Sequence, residues 1–193
     1  MDESTKNGII KGIVLMVLAA LVVGGFFYLL NRGNNDSNNT TEEKVLTEVE
    51  KITTTDLSKS YPKTPATVVD LYTKIMQVMY KQTYTDEEFD KMAAVMAGTF
   101  DSEFLANQAN WPEGLRTEVK NKKEEDYSIS KYEILSQDEE MTTDSGEQIS
   151  NVMARISLRH GTKTTLYNYL FVLRKDSEGL WKIMGWTSQE AME

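Results

Sequence analysis

Cysteine is absent from this chain, histidine occurs once, at His160, and proline three times in 193 residues. Without cysteine there can be no disulfide framework, iron–sulfur cluster, thiol nucleophile or Cys/His zinc site. A metal would have to rest on carboxylates alone. The acidic groups at Asp86 to Glu88, Glu124 to Asp126 and Asp138 to Glu140 lack the alternating oxygen-ligand spacing and central glycine of a calcium loop, so no metal or cofactor is expected. Positive charge is also short, with 21 Lys and Arg against 30 Asp and Glu, a formal charge of −9. No basic run offsets it, and that excludes nucleic acid as a partner.

What the chain does have is one long apolar run. Gly12 to Leu30 reads GIVLMVLAALVVGGFFYLL, without a charged side chain. This matches the roughly 20 residues a helix needs to cross about 30 Å of hydrocarbon. Lys6 and Lys11 precede it, and Phe26, Phe27 and Tyr28 stand at its far end, where aromatic rings favour the membrane interface. A cleaved signal peptide has a shorter apolar core and a small-residue cleavage site, which FFYLLNRG does not supply. The lipid bilayer is therefore the expected partner of residues 9–30, through a single-pass transmembrane helix. Gly8, Gly12, Ala20 and Gly24 share one face of it, which suits self-association. Residues 1–8 are expected to be a short cytoplasmic tail.

The composition then changes. GNNDSNNTT carries no apolar side chain, so residues 31–44 read as a flexible polar linker. The residues from Asn31 onward hold 19 basic and 28 acidic side chains, so the whole net charge belongs to the segment beyond the anchor. Residues 45–193 are expected to form an extracytoplasmic domain at the cell membrane. Val45 to Lys59 is ambiguous, because its apolar spacing suits a helix whereas Thr53 to Thr55 is β-branched. Thr64-Pro65 is a helix start, followed by the stripe Val68, Leu71, Tyr72, Ile75, Met79. Thr85 and Glu88 form a capping box before Phe89, Met92, Ala93 and Met96. A short helical piece follows at Asp101 to Ala106, and Trp111-Pro112-Glu113 opens another that faces Leu115 and Val119 inward.

From Tyr127 the period becomes two. Strands are expected from Tyr127 past Ile134, over Ile149 to Arg159, over Thr162 to Lys175 and over Leu180 to Ser188, with His160-Gly161 as a hairpin turn. Helices first and long antiparallel strands afterwards make the class α+β. LYNYLFVLRK is apolar on both faces and belongs in the middle of the sheet.

The closing strands, YNYLFVLRKDSEGLWKIMGWTSQE, resemble those of the nuclear transport factor 2-like (SnoaL-like) family, which often end in a G-x-W-K-I-x-x-W pattern. Here Gly179, Trp181, Lys182, Ile183 and Trp186 carry it. The stretch YPKTPATVVDLYTKIMQVMYKQTYTDEEFDKM is similar to the opening of an uncharacterised single-pass membrane-anchored family of anaerobic Gram-positive bacteria. The first resemblance implies a curved sheet wrapped on helices around a conical pocket. Its relatives use that pocket for isomerisation, dehydration, ligand binding or pairing alone, so fold does not settle function.

None of the acid and base positions of the enzymes in that superfamily can be matched here, and His160, in a turn, is expected to be solvated. No catalytic residue is expected. Asn168 is the one amide in a row with Leu166, Leu170 and Val172, and together with Tyr167, Tyr169 and Trp186 it makes the expected pocket set. Trp181 and Trp186 are an odd number apart, which predicts opposite faces. Arg155 and Arg159 share a face. The expectation is a membrane-tethered binding or assembly module without catalytic activity, scaffolding an envelope complex with another envelope protein or a second copy. The alternative is a small-molecule isomerase, dehydratase or hydrolase using the cone.

Overall fold

A computed structural model of the chain describes residues 45–189. The tail expected at 1–8, the transmembrane helix at 9–30 and the linker at 31–44 lie outside them, and no described helix is long and apolar enough to cross a membrane. The described residues have five helices, α1 Glu48–Thr53, α2 Pro65–Lys81, α3 Asp86–Ala97, α4 Ser102–Ala106 and α5 Glu113–Glu124. Five strands follow, β1 Tyr127–Gln137, β2 Met141–Thr142, β3 Gln148–His160, β4 Lys163–Lys175 and β5 Trp181–Gln189. The class is α+β, with helices packed on an antiparallel sheet.

Local chemistry sets each helix. The ambiguous stretch after Val45 becomes α1 because Thr47 and Glu50 form a capping box, the Thr47 hydroxyl accepting the Glu50 N–H at 3.1 Å and Glu50 accepting the Thr47 N–H at 2.9 Å. The threonines then end it, with the hydroxyls of Thr54 and Thr55 donating back to the carbonyls of Glu50 and Lys51. Thr64 caps α2 with Pro65 in its first turn, and Thr85 and Glu88 cap α3 reciprocally. Across α2, Val68, Val69, Tyr72, Ile75, Val78, Met79 and Tyr80 are buried, and they meet Phe89, Met92 and Met96 of α3 in the core.

The sheet order is β1-β3-β4-β5, with β2 beside β3 at one end. β4 thus lies inside, as its two apolar faces require. β3 and β4 pair along almost their whole length, from Ile149↔Arg174 to His160↔Lys163. Their helix-facing rows are Val152, Ala154, Ile156, Leu158 and Tyr167, Tyr169, Phe171, Leu173. The opposite face is less covered, and Leu166 is half exposed.

Three bulges alter what strict alternation predicts. In β1 the register shifts at Ser130 and again at Leu135, so Ile129, Tyr132 and Ile134 all face the same row of β3 although their spacing is uneven. In β5 a shift at Met184 does the same. Trp181 lies opposite Lys175, Ile183 opposite Leu173 and Trp186 opposite Phe171, so the two tryptophans share a face instead of pointing apart. His160 lies in a strand and not in the turn. It is the last residue of β3, its ring stacked on Tyr127 at 4.2 Å and 6°, and the two-residue turn is Gly161-Thr162, with Gly161 at φ 57°.

The chain between α3 and α4 is pinned to the free edge of β5. Asp101 donates its N–H to the Ile183 carbonyl, and Ile183 donates to the Thr99 carbonyl, both at 2.9 Å. Asp101 is 5% exposed and holds Arg174 through two bonds, at 2.9 and 3.0 Å, while accepting the Glu103 N–H as the cap of α4. Burial raises its carboxyl pKa, but the Arg174 and backbone hydrogen bonds outweigh that and hold it below the ordinary value. Such a group stabilises the fold above its unfolded pKa of about 4 and loses that contribution as pH falls through the lower folded value. Asp101→Asn should therefore flatten the acid limb of a plot of Tm against pH. At neutral pH Asp101→Ala should cost about 2 kcal/mol by denaturant unfolding, since it leaves the Arg174 guanidinium with only the more exposed Glu103 and Glu147 and a helix uncapped.

Candidate functional site

Between the helices and the sheet the core is left unfilled on one side. There a cleft of about 560 Å³ opens to solvent. Tyr72, Met76 and Tyr80 of α2 form one wall, and Gly114, Leu115, Glu118 and Lys122 of α5 another. Ile129, Ile156, Leu158, Tyr167, Tyr169, Phe171 and Trp186 line it from the sheet, with Phe100, Gln108, Ala109 and Trp111 closing one end.

Aromatic rings dominate this lining. At its base Trp186 packs on Tyr72 at 5.1 Å, on Phe171 at 5.6 Å and on Phe104 at 5.4 Å, while Phe100 meets Trp111 edge-on at 5.4 Å. These separations lie within the range of favourable ring pairs. Trp186 still leaves 37% of its surface exposed. Phe171 is fully buried beneath it, and Tyr167 and Tyr169 run on towards the mouth with their rings 6.3 Å apart.

Two ionisable side chains besides the tyrosines face the cleft. Lys122 is occupied, its ammonium 2.9 Å from Glu125 and 4.6 Å from the centre of the Tyr127 ring. Glu118 is exposed and accepts the Tyr80 hydroxyl at 3.2 Å. That geometry shapes the tyrosines. Burial raises the pKa of Tyr72 and Tyr80 above the ordinary phenol range, and the Glu118 charge pushes both further. Tyr169 is raised by burial first, then by Tyr167 and Glu118. Their hydroxyls keep their protons at neutral pH and can donate hydrogen bonds but not act as bases.

Of the residues expected to form a pocket, Tyr167, Tyr169 and Trp186 come together in the cleft. Asn168 does not join them. It pairs with Arg155 on the opposite face of the sheet, is 7% exposed and accepts the Arg155 Nε at 3.0 Å. Arg159 on the same face donates to Ser128 at 3.2 Å instead of meeting a carboxylate. Sequence reasoning missed Glu118, Tyr72, Tyr80 and Trp111. A signal for Glu118 was present, since it stands three residues after Leu115 and one before Val119, on the flank of the inward stripe of α5. Tyr72 was legible only as core.

A raised phenol stabilises the fold below its unfolded pKa of about 10, and the contribution is lost as pH rises towards the folded value. Absorbance titration should therefore show Tyr72 and Tyr80 ionising only together with unfolding, and stability should fall steadily above about pH 10. Tyr80→Phe should reduce that alkaline loss while leaving the neutral-pH spectrum of the fold unchanged.

No curated protein matches the chain. Among solved structures, the intermembrane space region of the chloroplast protein ARC6 aligns with 66% of this chain and 98% of its own length, at 12% identity. Its TM-score of 0.32 is too low to define a shared fold. A family model spans nearly the whole sequence, residues 1–186, and the chain belongs to that family, described as a domain of unknown function (DUF6715).

Proposed function

We propose that this chain is a membrane-tethered, extracytoplasmic binding or assembly module without catalytic activity, whose sheet and helices form a cone of the nuclear transport factor 2-like kind. The observation that carries this reading is the open aromatic cleft of about 560 Å³, a size and lining suited to small-molecule sites. The apolar run 12–30 and the polar segment after it support the tethering, and the −9 charge beyond the run suits a domain that stands off an anionic bilayer. An envelope protein or a second copy would then assemble around the tethered domain.

The alternative reading, a small-molecule isomerase, dehydratase or hydrolase, is favoured by one contact, the Tyr80 hydroxyl on Glu118. A carboxylate beside a proton-bearing phenol is a minimal base and acid pair. Against it, Glu118 is exposed and no group excludes water from it.

Full-length protein with a carboxy-terminal epitope, expressed in a Gram-positive host, should stay in the membrane pellet after alkaline carbonate washing and lose its epitope when protease is added to intact cells. Detergent-solubilised full-length protein should show raised Tm with small aromatic or amphiphilic ligands and no product formation. Epitope protection in intact cells, release by carbonate, or turnover abolished by Glu118→Gln would overturn the corresponding part of the reading.

A further inference from the structure

The described residues stack a cation on a ring in five places, and each uses a ring outside the cleft. Arg116 covers Phe89, Lys122 covers Tyr127, Lys123 covers Tyr84, Lys175 covers Trp181 and Lys182 covers Tyr61. The cleft holds eight rings and none of these stacks. Its ring faces are left unclaimed by the chain's own cations. The ring π-systems are negative on their faces and attract a cation placed within about 6 Å of the centroid.

The charge at the mouth has the same sign. Glu118 forms no ion pair within 4 Å among the described residues; it accepts the Tyr80 hydroxyl, and the charge of Lys122, one turn on, reaches it only through space. Basic residues of α5 are bonded elsewhere, Lys122 included, whose first partner is Glu125. Arg116 is held by Asp86, Asp90 and Glu113, Lys122 by Glu125, and Lys123 donates to the Gln82 carbonyl. Lys120 stands two residues on, on a different side of the helix. A carboxylate at the rim of an aromatic enclosure is the arrangement that binds a weakly hydrated organic cation, since the rings replace its water without a desolvated counter-ion.

Resting on the binding reading above, we infer that the cleft takes a small organic monocation, a quaternary or methylated ammonium group on an apolar body, with the cation between Glu118 and the tyrosines and the body against Trp186 and Trp111. The apolar end fits the exposed face of Trp186 on the floor. Met76, Leu115 and Ile156 supply the surrounding apolar wall. An anion is disfavoured by Glu118, and a metal cation by the lack of a second carboxylate in the lining.

Three phenols that differ in the charge of one tetrahedral para group test this: (4-hydroxyphenyl)trimethylammonium, 4-tert-butylphenol and 4-hydroxybenzenesulfonate. Binding to detergent-solubilised full-length protein is read by tryptophan fluorescence and by calorimetry. The cation should bind about tenfold more tightly than the neutral isostere, with the sulfonate weakest, a ratio within the worth of cation–ring and carboxylate contacts. Glu118→Gln should bring the cation close to the neutral probe without lowering Tm, because Glu118 is exposed. Trp186→Phe should weaken all three. Equal binding of all three probes would sink the cation assignment while leaving a ligand-binding cleft. Absence of binding by every probe, at concentrations where the unaltered fold is intact by circular dichroism, would sink both, and tightest binding of the sulfonate would reverse the assigned charge.

Discussion

One face of the sheet has to leave water, and α2, lying chiefly along β1 and reaching β3 and β5, is the helix that contacts it most. The inner row of the β3–β4 hairpin presents Val152, Ala154, Phe171 and Leu173, all buried, and α2 answers with Val68, Val69, Ile75 and Met79, none of which retains more than a trace of exposure. Each such side chain contributes about 1.5–3 kcal/mol on burial, and no hydrogen bond in the domain approaches the sum. The other helices are arranged by this contact. α3 backs α2 through Phe89, Met92 and Met96, while α5 leans on β1 from the side.

The cleft follows from where that coverage stops. α2 covers one end of the inner row, and at the other end Ile156, Leu158, Tyr167 and Tyr169 continue along the strands with α5 as their far wall. The two helices touch there through the Tyr80 hydroxyl on Glu118, without closing the space over the sheet. Large rings partly fill the gap, and Trp186, packed on Tyr72, Phe104 and Phe171, stays 37% exposed. The chain's arginines are spent elsewhere, Arg116 gathering three carboxylates at α3 and α5 and Arg174 gathering Asp101, Glu103 and Glu147. An acidic domain thus keeps these positive charges at structural joints, and the one ammonium that lines the cleft, Lys122, is bonded to Glu125.

Much of the fold is legible in the residues because capping chemistry is local. Thr64-Pro65, Thr85 with Glu88, and Asp101 start helices for reasons that lie within four positions of each. The same locality explains the failures. A bulge is decided by pairing across strands, so the shift at Met184 that turns Trp186 onto the same face as Trp181 leaves no mark in the alternation of β5 itself. The site was legible in part for a related reason. Tyr167 and Tyr169 share a face by strand period, whereas Trp186 joins them through the β4–β5 register and Glu118 and Tyr80 meet across 38 residues of chain by packing alone. Asn168 belongs to the other face, where an arginine, not a ligand, takes its amide oxygen.

The irregularities in β1 bear on how the domain behaves in company. An outermost strand with unpaired amides invites a neighbouring molecule to zip onto it, and such zipping requires an unbroken two-residue repeat. β1 interrupts that repeat twice, at Ser130 and Leu135, and sets Lys131 and Glu133 between the breaks. A foreign strand could match it for only a few residues before losing step. The same kinks that turn Ile129 and Ile134 inward thereby guard the margin of the sheet against aggregation.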